Sequence, residues 1–262
     1  MSSTRDGEMR GPFRGIYVHI PFCRTKCPYC GFFPVAGRAS FHRFFDALEL
    51  EARRRAGAIL GGDPGRGPDT LYVGGGTPSL DEADRVTRLP GMARSLFGLR
   101  GDAEVTIEAN PDDIVPAALE SWLDAGYNRI SIGVQSLDDA ELRVLGRRHD
   151  ADAAARAVGA AREAGFGSIG IDLIFGLAGQ TADRWRRTLE AALSLSPDHL
   201  SCYQLTVERG TPFAAREAAG DPPAAGERRQ RDLFLETDRI LAGGGFEHYE
   251  VSNYARAPEH RS

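Results

Sequence analysis

Six short apolar segments, with helical periodicity between them, constrain what this chain can fold into more than any other feature. They are GIYVHI (15–20), TLYVGG (70–75), EVTIEA (104–109), RISIGV (129–134), SIGIDLIF (168–175) and HLSCYQL (199–205). Each is rich in Ile, Val, Leu or Tyr and most end in Gly or Pro punctuation, which reads as a β-strand. Helical periodicity runs through 41–60, 81–98, 116–126, 150–165 and 183–195. Strands separated by helices pair in parallel, because a parallel partner is reached only through a long crossover. Right-handed crossovers repeated in one sense curl such a sheet toward a barrel. Six strands fall short of the eight in a closed barrel. The expected fold is therefore α/β, a partial (β/α)6 barrel of parallel strands, with a doubly wound sheet as the rival.

Around that core, residues 1–14 read as a polar tail, 15–215 as the barrel and 216–262 as the start of a further region. The last part begins with REAAGDPPAAGER (216–228), which has linker composition, then a helix over 229–243 and a short strand, HYEVSNYA (248–255). The net charge of −5 is spread evenly, with no clustered basic face of the kind that binds nucleic acid. No apolar run reaches the roughly 18 residues of a membrane span. The first residues lack the apolar stretch of a secretory signal. Three of the four cysteines lie within eight residues, a poor disulfide framework, so a reducing cytoplasm is the expected compartment.

Those three, Cys23, Cys27 and Cys30, are spaced C-x3-C-x2-C in the loop after the first strand. Structural zinc usually takes two separated pairs of ligands, so it would need a distant His here. Cys202 sits in an apolar strand and reads as packing. Iron–sulfur clusters normally take four protein thiolates. Three thiolates fit a 4Fe–4S cluster with one iron left open to a small chelating ligand.

Further polar residues recur at or near the ends of the later strands. Gly74, Gly75 and Gly76 follow the second strand, where missing Cβ atoms let backbone approach a ligand. Glu108 ends the third, Gln135 follows the fourth and Asp172 interrupts the fifth, while Arg147 lies in LGRRHD. Residues so placed surround one mouth, where barrel active sites form. Asp172 is the hardest to explain structurally, since a buried carboxylate without a partner is costly; a salt bridge is its structural alternative.

The cysteine spacing matches the signature of the radical S-adenosylmethionine (SAM) superfamily. YVHIPFC, GGGTPS, IEANPDD, RISIGVQS, LGRRH, IDLIFGL and YQLTVERGTPF resemble, in order, the blocks of the oxygen-independent coproporphyrinogen III oxidase family and its heme-chaperone branch. The resemblance runs from about Ile16 to Ala255. It implies that Cys23, Cys27 and Cys30 hold the cluster and that SAM ligates the open iron, to be cleaved by one electron into a 5′-deoxyadenosyl radical. It implies that Tyr17, Gly75 and Glu108 cradle this SAM. Tyr29, Gly76, Thr77, Gln135, Arg147 and Asp172 match residues that contact a second SAM in the oxidase.

The oxidase carries an extra Cys where this chain has Phe32, and IEANPDD, LTVERGTPF and VSNYA fit the chaperone branch better. Gly31 departs from the Cys-Asp-Phe of that branch; Cys-Gly-Phe-Phe is instead common in a third relative, the heme-utilisation methyltransferases. The implied function is heme binding and delivery to an acceptor protein, with coproporphyrinogen III oxidation as the alternative and methyl transfer third. Heme or a porphyrinogen is the implied cargo, and a flavodoxin- or ferredoxin-type protein the implied electron donor. In the chaperone branch VSNYA precedes a His-Asn segment and a helical domain, so the expectation is a truncated chain whose heme ligand lies beyond Ser262. His248 and His260 read as surface imidazoles.

Overall fold

A computed structural model describes residues 15–32, 41–59, 67–80 and 85–261. In chain order the elements are β1 (Gly15–Ile20), α1 (Phe41–Ile59), β2 (Thr70–Gly75), α2 (Leu89–Phe97), β3 (Glu104–Ala109) and α3 (Pro116–Ala125). There follow β4 (Arg129–Gln135), α4 (Asp139–Val144), α5 (Ala151–Ala164), β5 (Ser168–Phe175), α6 (Ala182–Ser194) and β6 (His199–Gln204). The chain continues through α7 (Pro212–Ala218), α8 (Glu227–Gly243), β7 (Glu247–Glu250) and β8 (Asn253–Ala255). Among the described residues one sheet contains all the strands, in the order β1-β2-β3-β4-β5-β6-β8-β7. The first six are parallel and the last two antiparallel, giving the open, partial barrel expected rather than a doubly wound sheet.

The strand residues alternate with period two, in the opposite sense to a closed barrel with a packed interior. Val73, Val105, Ile107, Ile130, Ile132, Ile169, Ile171 and Leu200 are wholly buried in the apolar core that the helices cover. The intervening positions are polar or Gly: Tyr17, His19, Glu108, Ser131, Gly133 and Asp172 line a cavity on the other face. Apolar side chains therefore hold the helices on, and the concave face is free for chemistry. Side-chain caps start α5 at Asp150, α6 at Thr181 and α7 at Thr211. Trp185 Nε1 donates to Thr237 Oγ1 at 2.8 Å, joining α6 to α8 in the core.

Three expectations need correction or qualification. The last strand is a hairpin, because Val251 and Ser252 turn the chain between β7 and β8. The 216–228 stretch is pinned to the barrel: Ala178 N donates to Pro223 O at 2.8 Å and Ala225 N to Gly176 O at 2.8 Å. Its linker-like composition therefore does not mean free chain. The helix expected over 81–98 starts only at Leu89, after a 3-10 turn, and its positions 81–84 lie outside the described residues, as does the 1–14 tail.

The barrel floor is closed by charge. Arg129, at the start of β4, is 2% exposed. Its Nη1 pairs with Glu104 at 3.0 Å and donates to the His260 carbonyl at 2.7 Å. The His260 ring meets Ser168 Oγ at 3.0 Å, and His248 stacks on Tyr254 at 4.3 Å. Both imidazoles thus have structural contacts.

Candidate functional site

At the opposite end, the C-terminal ends of β1–β6 surround a cavity of about 540 Å³. The three cysteines and the nine residues that the resemblance assigns to SAM all line it, whereas Gly74, singled out with its two neighbours, is not part of the lining. Cys23, Cys27 and Cys30 lie on the loop after β1, which Cys30 N folds back by donating to Cys27 O at 3.1 Å. Thr77 Oγ1 lies 3.4 Å from Cys23 Sγ and Arg147 Nη1 lies 3.5 Å from Cys27 Sγ. Burial pushes the Cys23 thiol up, and the Thr77 hydrogen bond works against it. Cys202 packs at 2% exposure in the core behind the sheet, and burial pushes its thiol up as well.

The glycine triplet is dictated by contact. A Cβ on Gly74 would lie 2.7 Å from Glu108 Oε1. Gly75 has φ +116° and faces the His19 ring, and a Cβ on Gly76 would lie 2.6 Å from the Phe22 carbonyl. Gly76 N donates to Ile20 O at 2.7 Å, which draws the triplet against the end of β1 beside the cysteine loop.

Two carboxylates share the cavity. Glu108 accepts from Tyr72 OH and from Gly75 N, each at 2.9 Å. Burial, then the charge of Asp172, pushes Glu108 up to about 7 despite those two bonds. Burial likewise pushes Asp172 up to about 6, opposed by hydrogen bonds from Ser201 and Ser131. Ser131 Oγ lies 3.2 Å from Asp172 Oδ1. The salt bridge weighed for Asp172 is not found among the described residues; hydroxyls hold it instead. Such a pair favours a cationic ligand, which would relieve both charges.

The remaining wall comes from β4 and beyond. Gln135 ends β4 at φ +67°, past a bulge between Ile132 and Gln135. That left-handed conformation is costly for a residue with a Cβ and turns Gln135 into the cavity. Arg147 Nη2 donates to Gly133 O at 3.0 Å and to Asn110 Oδ1. Tyr29 lies against Cys27 and Arg147, and burial pushes its hydroxyl up. Tyr17 OH meets His19 Nδ1 at 3.0 Å across the β1 rim.

Sequence reasoning missed Tyr72, Asn110, Ser131, Ser201 and Tyr203. Period two along the strands was the available signal: Tyr72 precedes Gly74 by two, Ser131 precedes Gly133 by two, and Ser201 precedes Tyr203 by two. All face the cavity side.

The donor set suits a cubane cluster. No three His, Cys, Asp or Glu side chains among the described residues converge as one ion requires, and a cubane does not ask them to, since each thiolate binds a different iron. Thr77 and Arg147 place hydrogen-bond donors at two sulfurs, as cluster thiolates favour.

A parallel half-barrel with three cysteines after its first strand and a polar concave face defines a class. Residues 17–192 match the Radical SAM superfamily, and the chain belongs to it. A 4Fe–4S cluster and SAM are the cofactors of that superfamily. Within it, the likeness is to the group of the coproporphyrinogen III oxidase HemN and the heme chaperone HemW. The chain is 38% identical to the heme chaperone HemW of Mycobacterium tuberculosis over 94% of its own length and 63% of that protein's. It is 39% identical to the mouse radical S-adenosyl methionine domain-containing protein 1, mitochondrial, covering 92% of this chain and 54% of the mouse protein. The structure of HemN from Escherichia coli superposes with a TM-score of 0.81 at 33% identity, covering 95% of this chain and 57% of that one. The chain thus spans little more than half the length of these relatives. Among the described residues no helix is long and apolar enough to cross a membrane.

Proposed function

We propose that this chain is the radical SAM core of a heme chaperone, which binds heme and passes it to an acceptor protein. The observation that carries the reading is the 34–38% identity to heme chaperones HemW from several bacteria over nearly the whole chain. Phe32, standing where the oxidase resemblance puts a fourth cysteine, lines the cavity and is 63% exposed. HemN likeness supports coproporphyrinogen III oxidation as the second reading.

In either case Cys23, Cys27 and Cys30 hold the cluster. When bound, the cluster and SAM supply one-electron cleavage of a carbon–sulfur bond. Glu108, Gly75 and Tyr17 hold the first SAM: the Glu108 carboxylate takes its cationic end, and the bare backbone at Gly75 lets it approach. Gln135, Asp172, Arg147, Thr77, Gly76 and Tyr29 line the space for a second. Arg147 suits a carboxylate and Asp172 an ammonium group or ribose hydroxyls. The electron donor is a flavodoxin- or ferredoxin-type protein, and free thiols at all four cysteines suit the cytoplasm.

The test is anaerobic reconstitution of the full-length protein. Heme taken up stoichiometrically, with no protoporphyrinogen IX formed from coproporphyrinogen III, is the expected outcome. Turnover of coproporphyrinogen III would reject the chaperone reading in favour of the oxidase.

A further inference from the structure

Two of the three clustered thiols accept hydrogen bonds, and a single side chain joins the two donors. Thr77 Oγ1 lies 3.4 Å from Cys23 Sγ, and Arg147 Nη1 lies 3.5 Å from Cys27 Sγ. Asn110 spans the gap between them. Its Oδ1 accepts from Arg147 Nη2, and its Nδ2 donates to Thr77 Oγ1 at 3.3 Å.

The direction of this relay follows from donor chemistry. A guanidinium only donates, so the Asn110 amide oxygen must face Arg147 and its NH2 must face Thr77. Thr77 Oγ1 then accepts from Asn110, which leaves its own proton for Cys23. Asn110 is itself fixed at the end of β3: its N–H donates to Ser79 Oγ at 3.3 Å, and its carbonyl accepts from Asp113 N at 3.0 Å. Arg147 is steadied from the other side by the Gly133 carbonyl at 3.0 Å.

We infer that Asn110 is a positioning residue that aims Thr77 and Arg147 at two cluster thiolates and thereby raises the reduction potential of the cluster. Reduction adds one electron, and much of that charge falls on sulfur. Donors held at sulfur therefore stabilise the reduced form more than the oxidised one. Without Asn110, Thr77 is free to rotate its proton elsewhere and Arg147 loses one of its anchors. This inference rests on the cluster reading.

The experiment uses the full chain, reconstituted anaerobically and kept free of SAM, in a dithionite titration followed by electron paramagnetic resonance. Asn110→Ala, Asn110→Asp and Thr77→Val are compared with Thr77→Ser and the parent. Asp is informative because its carboxylate keeps Arg147 but cannot donate to Thr77, so the hydroxyl turns away from Cys23 toward the carboxylate. Expected is a midpoint shifted to more negative potential in the first three variants, with Thr77→Ser at the parent value. The shift should lower the reduced-to-oxidised ratio at fixed potential by up to about tenfold, which is 59 mV for one electron. Unmoved midpoints in variants with normal cluster absorbance would overturn the inference and leave the cluster reading intact. If Asn110→Ala takes up no cluster, the valine and serine variants decide: Thr77→Val at the parent potential overturns it. A parent protein without cluster absorbance overturns both.

Discussion

Glu108 Oε2 accepts the backbone N–H of Gly75 at 2.9 Å, tying the end of β3 to the glycine triplet that lies against the cysteine loop. The bond sits where the three strand ends must come close for one ligand to touch all of them. At Gly76 the neighbours are the Ile20 and Phe22 carbonyls, which cannot rotate away as a side chain would. Gly76→Ala should therefore cost about 1–3 kcal/mol by overpacking and impair cluster uptake. Thermal unfolding and iron content check this; a variant with parental melting and full iron would show that the close approach is dispensable.

The two raised carboxyls give opposite pH signatures for folding and for binding. Glu108 is held near 7 and Asp172 near 6, above their ordinary values of 4.5 and 3.8. The folded protein then keeps protons that the unfolded chain has released, so ligand-free stability falls as pH rises from about 4 to 7, by on the order of a few kcal/mol. A cationic ligand selects the ionised forms. SAM affinity should rise over pH 6 to 8 with proton release, measurable by calorimetry in buffers of different ionisation enthalpy. Glu108→Gln should flatten that rise; an undiminished slope would remove Glu108 from the binding site.

Gln135 separates stability from binding. Its left-handed backbone is strained for any residue but Gly, so Gln135→Gly should stabilise the ligand-free chain by about 0.5–1 kcal/mol. The same change deletes a side chain from the cavity wall and should weaken SAM binding. Urea unfolding and SAM titration together test this, and stability lost along with affinity would contradict it.

At the barrel floor, Arg129 is the reverse case. Removing a buried guanidinium strands Glu104 and the His260 carbonyl, and Arg129→Ala should cost about 3 kcal/mol or more. The site is at the other end of the sheet, so SAM binding measured well below the melting temperature should persist. Loss of binding in a folded variant would mean that floor and mouth are coupled.

Among the cysteines, Cys27→Ala should abolish the iron–sulfur absorbance, whereas Cys202→Ala should keep it and lose about 1 kcal/mol of stability. Visible absorbance and denaturant unfolding separate the two. A bleached Cys202 variant would make that thiol more than packing.

Much of the fold was legible because strand and helix advertise themselves locally. The bounds of β1, β2, β3 and β5 follow directly from their apolar runs and flanking Gly or Pro. The short α4 and α7 were not expected, since helices of six and seven residues carry too few turns to show periodicity. The β7–β8 hairpin was read as one strand because nothing in EVSN is a strong turn signal. Of the residues expected at the mouth all but Gly74 line the cavity, yet the neighbours that orient them, Tyr72, Asn110, Ser131 and Ser201, carry no motif that marks them in the same segments.

By itself the sequence determined a parallel α/β sheet, a C-x3-C-x2-C cysteine triad after its first strand, and a ring of polar groups at the strand ends. These depend on spacing along the chain, which residue order states outright. Only tertiary structure decided that Asp172 is held by Ser131 and Ser201 rather than by an arginine, that Glu108 reaches Gly75, and that Asn110 bridges the donors to two thiols. Hydrogen bonds between strands depend on register and on which face a side chain takes, and those are set by packing across the sheet.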